Sequence, residues 1–170
     1  MKNINYSFRK LTKDDITDDY ISWLNNPDIN QFLEVRHIKQ NKKTITEYIH
    51  SYYQDEEKYM WGVYDGNALV GTTTLTYIDY EKSSAEIGLM IGDMNYWGKL
   101  ASDSAMHFVI NFVFDNLKLE SVTGGCLDKN MGMVFTFKKL GFVRGAIRGC
   151  DNKNIGHEWR ISKKQWLKNQ

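Results

Sequence analysis

The spacing of apolar and polar residues changes period several times along this chain, and each change marks an element. Tyr6 to Leu11 reads as a short strand, and Asp14 and Asp15 then sit where acidic side chains favour a helix start, with helix running to about Trp23. Turn chemistry at Asn25-Asn26-Pro27-Asp28 precedes a short apolar helix carrying Ile29, Phe32 and Leu33. Ile45, Tyr48, Ile49, Tyr52 and Tyr53 recur at helical spacing. Strand signals take over from Tyr59: MWGVY stops at Asp65-Gly66-Asn67 and ALVGTTTLTYI resumes, which predicts a hairpin. In AEIGLMIG, Ala85, Ile87, Leu89 and Ile91 alternate with Glu86, Gly88 and Met90, as a strand requires.

A helical stripe of Ala101, Ala105, Phe108, Val109, Phe112 and Val113 follows and ends near Asn116. Then ESVTGGCL reads as a strand, DKNMGMVFTFKKL as a helix stopped by Gly141, FVRGAIRG as a strand, and Glu158 to Ile161 as a last one. Hairpins followed by strand-helix-strand-helix-strand predict an α+β fold, a mixed sheet with helices on both faces. The chain of 170 residues, 42% hydrophobic, is sized for one domain over residues 1–170, with no linker, repeat or low-complexity tract to divide it.

Charge adds mostly exclusions. A formal net charge of +1 gives no global field to gather nucleic acid or an anionic membrane. No apolar run is long enough to cross a bilayer, and the stretch Met1–Leu11 lacks the apolar centre of an export signal. Cys126 and Cys150 have no CxxC spacing, which fits neither a zinc site nor a disulfide framework, so a reducing, cytoplasmic location without a bound metal is expected.

NYWGKLASDSA, Asn95–Ala105, joins a strand to a helix through a glycine and a lysine. A helix N-terminus presents amides without intrahelical acceptors and partial positive charge, so such a loop suits an anion, most naturally phosphate. Lys99 adds a full charge. The loop lacks the GxxxxGK[ST] spacing of a nucleotide P-loop and the three glycines of a dinucleotide fingerprint, and an ordinary strand-to-helix turn reads the same way.

AEIGLMIGDMNYWGKLASDSAMHFVINFVFDNLKLESV with LDKNMGMVFTFKKLGFVR resembles the acetyl-CoA-binding core of the GNAT N-acetyltransferases. It is most similar to the branch of ribosomal-protein N-terminal and amino-sugar acetyltransferases, and WLNNPDINQFLEVR is similar to GNAT enzymes of surface-polysaccharide pathways. The resemblance implies a largely antiparallel sheet with a splayed parallel pair, and acetyl-CoA as cosubstrate. It also implies that Tyr96, Trp97, Gly98 and Lys99 open a pyrophosphate loop continued by Leu100, Ala101 and Ser102. Leu100 stands at the usual central glycine, so the backbone there is expected to avoid positive φ. Leu89, Met90 and Ile91 match residues whose main chain pairs with pantetheine, and Asn130 matches a cofactor-contacting asparagine.

Such chemistry needs a neutral amine, a polarised thioester and, for the proton, a positioned base. By the resemblance Glu86 is the first candidate for that base, with pairing to a basic neighbour as its structural alternative, and His157 in the last strand is the second. The family's tyrosine acid is here Phe137, which leaves Tyr96, Tyr80 or solvent to protonate the thiolate. Glu34 and Arg36 are substrate contacts or surface ion-pair residues on equal terms, and the Tyr48/Tyr52/Tyr53 stripe reads as packing. The two cysteines, without a recognisable activating partner, read as inert thiols.

The acceptor implied is a small-molecule amine, foremost a nucleotide-linked amino sugar. A protein N-terminal acetyltransferase and a non-catalytic acyl-CoA-binding module, the latter suggested by Leu100 and Phe137, are the other readings. Dimers are common among similar proteins, and the aromatic content is compatible with a homodimer.

Overall fold

The structure, a computed structural model, describes residues 5–151 and 154–169, with the side chains of Cys150 and Asp151 outside the described set. Seven strands, β1 Tyr6–Arg9, β2 Tyr59–Asp65, β3 Ala68–Asp79, β4 Ser84–Ile91, β5 Ser121–Leu127, β6 Val143–Asp151 and β7 Asn154–Ser162, are hydrogen-bonded in the order β1-β2-β3-β4-β5-β7-β6. Among the described residues six α-helices accompany them: α1 Asp18–Asn25, α2 Pro27–Asn30, α3 Lys42–Tyr53, α4 Ala101–Asn111, α5 Met131–Leu140 and α6 Lys163–Lys168. The mixed α+β architecture is the one the element order predicts. The chain groups into two compact units, residues 1–74 with 89–105 and residues 75–88 with 106–170, and β3, β4 and α4 each run through both.

In the first unit β1 pairs antiparallel with β2, Tyr6 opposite Asp65 and Arg9 opposite Gly62. Successive β4 residues serve different cores, because a strand turns alternate side chains to opposite faces. Met90 joins Tyr20, Leu24, Ile45, Ile49 and Met60 beneath α1 and α3, whereas Ile91 joins Val63, Val70, Ala101 and Ala105 beneath the start of α4. Helix covers both faces here, so Met90 is buried although it lies on the face opposite Ile91.

The first helix starts later than the acidic pair suggests. Lys13–Asp15 form one 3-10 turn, and α1 begins at Asp18 with the Thr17 side chain accepting the Tyr20 amide. Asp15 is spent elsewhere, accepting from the Thr12 amide and from both terminal nitrogens of Arg9. The asparagines of WLNNPDIN are structural as well: Asn25 ties to the Ile21 and Gln40 backbone, Asn26 caps α2, and buried Asn30 donates to the Leu24 carbonyl.

In the second unit β4 and β5 form the parallel pair, Ser84 opposite Ser121 and Glu86 opposite Thr123, and the ladder stops there while β4 continues to Ile91 and β5 to Leu127. Beyond that point β5 pairs antiparallel with β7, and β7 with β6. α5 lies on the face carrying Gly124: a Cβ there would stand 2.7 Å from the Phe137 ring, so the missing side chain is the space Phe137 fills. Phe137 is buried, stacked on Trp159 at 5.5 Å between centroids. α5 stops at Gly141, in the left-handed region at φ +85°, as predicted. α4 ends in a π-turn, Phe112–Asn116.

Candidate active site

The loop Trp97–Leu100 and the first turn of α4 lie wholly within the first unit. Asp93 caps the 3-10 turn Met94–Tyr96, Tyr96 donates from its hydroxyl to Asp65 at 2.8 Å, and Tyr6 donates to the Lys99 carbonyl at 2.9 Å. The Trp97 indole donates to the Ile91 carbonyl at 2.9 Å. These four bonds fix the loop from both sides. Gly98 and Leu100 both hold positive φ, +73° and +64°. The loop therefore keeps its left-handed shape despite losing a glycine, which corrects the expectation that Leu100 avoids positive φ. The strain falls on Leu100, at about 1–2 kcal/mol for an ordinary L-residue.

Alternation of left- and right-handed residues turns successive amides into one concavity suited to an anion. The first intrahelical bond of α4 runs from the Ser104 amide to the Leu100 carbonyl, so the amides of Ala101 and Ser102 precede the ladder. Lys99 keeps its ammonium 5.5 Å over the Tyr96 ring, and a Cβ at Gly98 would meet open space. A pyrophosphate fits this chemistry of donors. Of the three β4 residues matched to pantetheine, Ile91 has its carbonyl already engaged by Trp97, while Leu89 and Met90 lie past the last β4–β5 ladder pair.

In the second unit, the Asn130 side-chain oxygen caps α5 by accepting the Met133 amide at 3.1 Å, which leaves its amide nitrogen as the group to offer a ligand. Glu86 projects from β4 into an ion pair with Arg148 of β6. That hydrogen bond and the charge of Glu86 hold the Arg148 guanidinium above its ordinary value. Thr123, opposite Glu86, donates to the Ala85 carbonyl at 3.3 Å.

His157 and Glu86 face opposite ways. His157 pairs with Cys126 and Glu86 with Thr123, and adjacent-odd positions of β5 alternate. The His157 Nδ1 lies 2.9 Å from an Asp128 oxygen, and the other Asp128 oxygen accepts from Arg144 at 2.5 Å. Arg144 also approaches Nδ1 at 2.8 Å; a guanidinium only donates, so Nδ1 accepts from Arg144 when it carries no proton and donates to Asp128 when it does. Cys126 thus lies opposite His157 in the ladder while His157 meets Asp128, a juxtaposition that sequence spacing concealed. Burial pushes the Cys126 thiol up to about 11, the opposite of an activated nucleophile.

Tyr96 is no ready acid either: its bond to Asp65, with burial adding to it, pushes the phenol up to about 12. Phe137 has no hydroxyl to give. Tyr80 is exposed. Glu34 and Arg36 sit on the 3-10 turn Glu34–His37, 3.8 Å apart, with Arg36 also donating to the Leu33 carbonyl at 2.8 Å. Among the described residues no group of three or more His, Cys, Asp or Glu could hold a metal, and no helix is long and apolar enough to cross a membrane.

Residues 6–143 match the acetyltransferase (GNAT) domain family. A probable N-acetyltransferase, YjcK, of Bacillus subtilis (strain 168) is 30% identical over 121 residues, which cover 69% of this chain and 64% of that protein, so the match spans less than two thirds of its relative. Among solved structures, the spermidine N-acetyltransferase from Vibrio cholerae in complex with CoA and spermine superposes with a TM-score of 0.82 at 19% identity, covering 95% of this chain and 98% of that one. A domain from Methanocaldococcus jannaschii DSM 2661 gives 0.72 at 20%, over 93% and 98%. With the parallel pair that stops short, the glycine-lysine loop opening α4 and a family match running from the first strand into β6, the chain belongs to the GNAT acetyltransferase domain family.

Proposed function

We propose that this protein transfers the acetyl group of acetyl-CoA to the primary amine of a nucleotide-linked amino sugar. The observation that carries the donor half is the loop before α4, whose paired left-handed residues, with the Ala101 and Ser102 amides ahead of the Ser104–Leu100 bond, suit a pyrophosphate. Lys99 and Ser102 are the residues of the stretch 98–102 whose side chains carry a donor. Support for the acceptor half is the likeness of WLNNPDINQFLEVR to enzymes of surface-polysaccharide pathways, together with the arginine paired to each acidic candidate, Arg36 with Glu34 and Arg148 with Glu86, a group able to receive an anion.

Acetyl-CoA supplies an activated thioester carbonyl. The protein's part is to bind the pyrophosphate through Gly98 to Ser102, to hold the pantetheine along Leu89 and Met90, to offer the Asn130 amide to the cofactor, and to take a proton from the acceptor. We assign that proton to a Glu86 carboxylate oxygen, directly or through water, with His157 Nε2 as the second candidate; because the two face opposite ways, one of them serves. The C–N bond forms as the C–S bond breaks, and CoA leaves after taking a proton from solvent, since Phe137 offers none.

Thiol release from acetyl-CoA tests the reading, with nucleotide-linked 3-amino- and 4-amino-deoxysugars, ribosomal-protein N-terminal peptides and spermidine as acceptors. Turnover is expected on the sugars, with Glu86→Gln slower by about 100-fold or more and His157→Gln near wild type. Turnover on peptides alone transfers the assignment to an N-terminal acetyltransferase. Bound acetyl-CoA without thiol release on any acceptor leaves a binding module.

A further inference from the structure

Glu86 meets Arg148 because β6 is irregular. On the β5–β7 ladder Thr123 lies opposite Arg160 and Gly125 opposite Glu158, so Glu86, Thr123, Arg160, Gly125 and Glu158 share one face. Arg144 lies opposite Trp159 and Ile147 opposite His157: β6 advances three residues while β7 advances two. The extra residue is a bulge, and it puts Arg144 and Ile147 on the same face. Arg148, the next residue, turns to the Glu86 side. Without the bulge Arg144 and Arg148, four apart, would point the same way. The side chain then lies over Gly125, where a Cβ would stand 3.5 Å from its guanidinium, with Glu158 and Tyr77 near enough to act on its charge.

We propose that Arg148 is the specificity-determining residue for the acceptor, holding the Glu86 carboxylate until a molecule bearing both an ammonium and a phosphate group exchanges with both halves of the pair. The ammonium takes the carboxylate and the phosphate takes the guanidinium, whose planar fork matches phosphate oxygens. A polyamine takes only the carboxylate and leaves a displaced guanidinium beside further positive charge. The side chains are 44% and 21% exposed, so the pair is reachable by a small molecule yet shielded enough for the exchange to matter. The role rests on the amino-sugar reading above and extends it: the anion on the acceptor is read by one arginine placed by a bulge.

The test is a KM comparison across three acceptors, a nucleotide-linked amino sugar, the same amino sugar without its nucleotide, and spermidine, for the wild type, Arg148→Lys and Arg148→Gln. Arg148→Gln is expected to raise KM for the nucleotide-linked sugar about tenfold or more relative to the free sugar, over any change common to both sugars from the release of Glu86, while leaving KM for acetyl-CoA within about twofold. Arg148→Lys is expected to fall between. An unchanged KM for acetyl-CoA establishes that the variants are folded. If the nucleotide-linked sugar is turned over and Arg148→Gln affects both sugars alike, the role assigned to Arg148 is wrong and the acceptor reading stands. Wild-type turnover of spermidine in preference to the sugars overturns both.

Discussion

Leu100 holds φ +64° with its side chain 58% exposed, so packing does not repay the strain of a left-handed leucine. Instead the bonds around it, Tyr6 to the Lys99 carbonyl and Ser104 to its own carbonyl, leave the backbone no other course. Replacing it with glycine removes the Cβ conflict but adds freedom to the unfolded chain. Leu100→Gly is therefore expected to stabilise the protein by roughly 0.5–1 kcal/mol, the difference between a strain of about 1–2 kcal/mol and an entropy cost of about 0.4–1 kcal/mol, read as a higher urea midpoint at unchanged m. Leu100→Val is expected to lower the midpoint, since a β-branched residue is worse placed there. The sequence shows that a glycine is missing; only the neighbouring hydrogen bonds show that the loop keeps its shape without it. Phe137 tells the same story in reverse. Its identity announces the lost hydroxyl, while its place against Gly124 and Trp159 follows from pairing that no local pattern encodes.

Elements with a strong period were legible: α3, the β2–β3 hairpin, β4, α4 and α5 all appear where the apolar spacing puts them. The shortfalls have physical causes. Asp14 and Asp15 look like a helix start because acidic residues favour one, but Asp15 serves Arg9 and Thr12, and the helix waits for Thr17. Two bulges in β6 are invisible to a reading of alternation, yet one of them decides which face receives Arg148. The last helix, α6, went unread although its signal was present: Ser162 and Gln165 form a reciprocal cap, Gln165 accepting from the Ser162 amide at 2.9 Å. α6 is short, so its cap and its anchor carry it; Trp166 is buried and donates to Asn111 at 2.8 Å. Ser162→Ala is expected to cost about 1 kcal/mol in chemical denaturation, and a Trp166→Phe background to reduce that cost, because the cap and the anchor hold the same turn.

At the scale of the whole molecule, hydrogen-bonded carboxylates such as Asp15 tie stability to pH. Burial works against the Asp15 carboxylate, but hydrogen bonds from Arg9 and from the Thr12 amide and hydroxyl outweigh it and hold its pKa below the ordinary value. Asp55 and Asp79 are also lowered, each chiefly by a hydrogen bond from a nearby lysine, yet both lie at the surface, where water and salt screen the pair. A depressed folded-state pKa means that the unfolded chain binds the proton more readily. The stabilisation is therefore complete above the unfolded carboxylate value, about 3.9, and is lost as pH falls through the lower folded value. Because Asp15 also joins β1 to the segment before α1 through Arg9, its protonation loosens the strand that holds the Lys99 carbonyl through Tyr6. Asp15→Asn is expected to lower the thermal midpoint at pH 7 and to flatten its fall between about pH 4 and pH 2, whereas Asp79→Asn leaves both nearly unchanged. A wild-type slope that persists in Asp15→Asn over that range would place the acid-sensitive groups elsewhere.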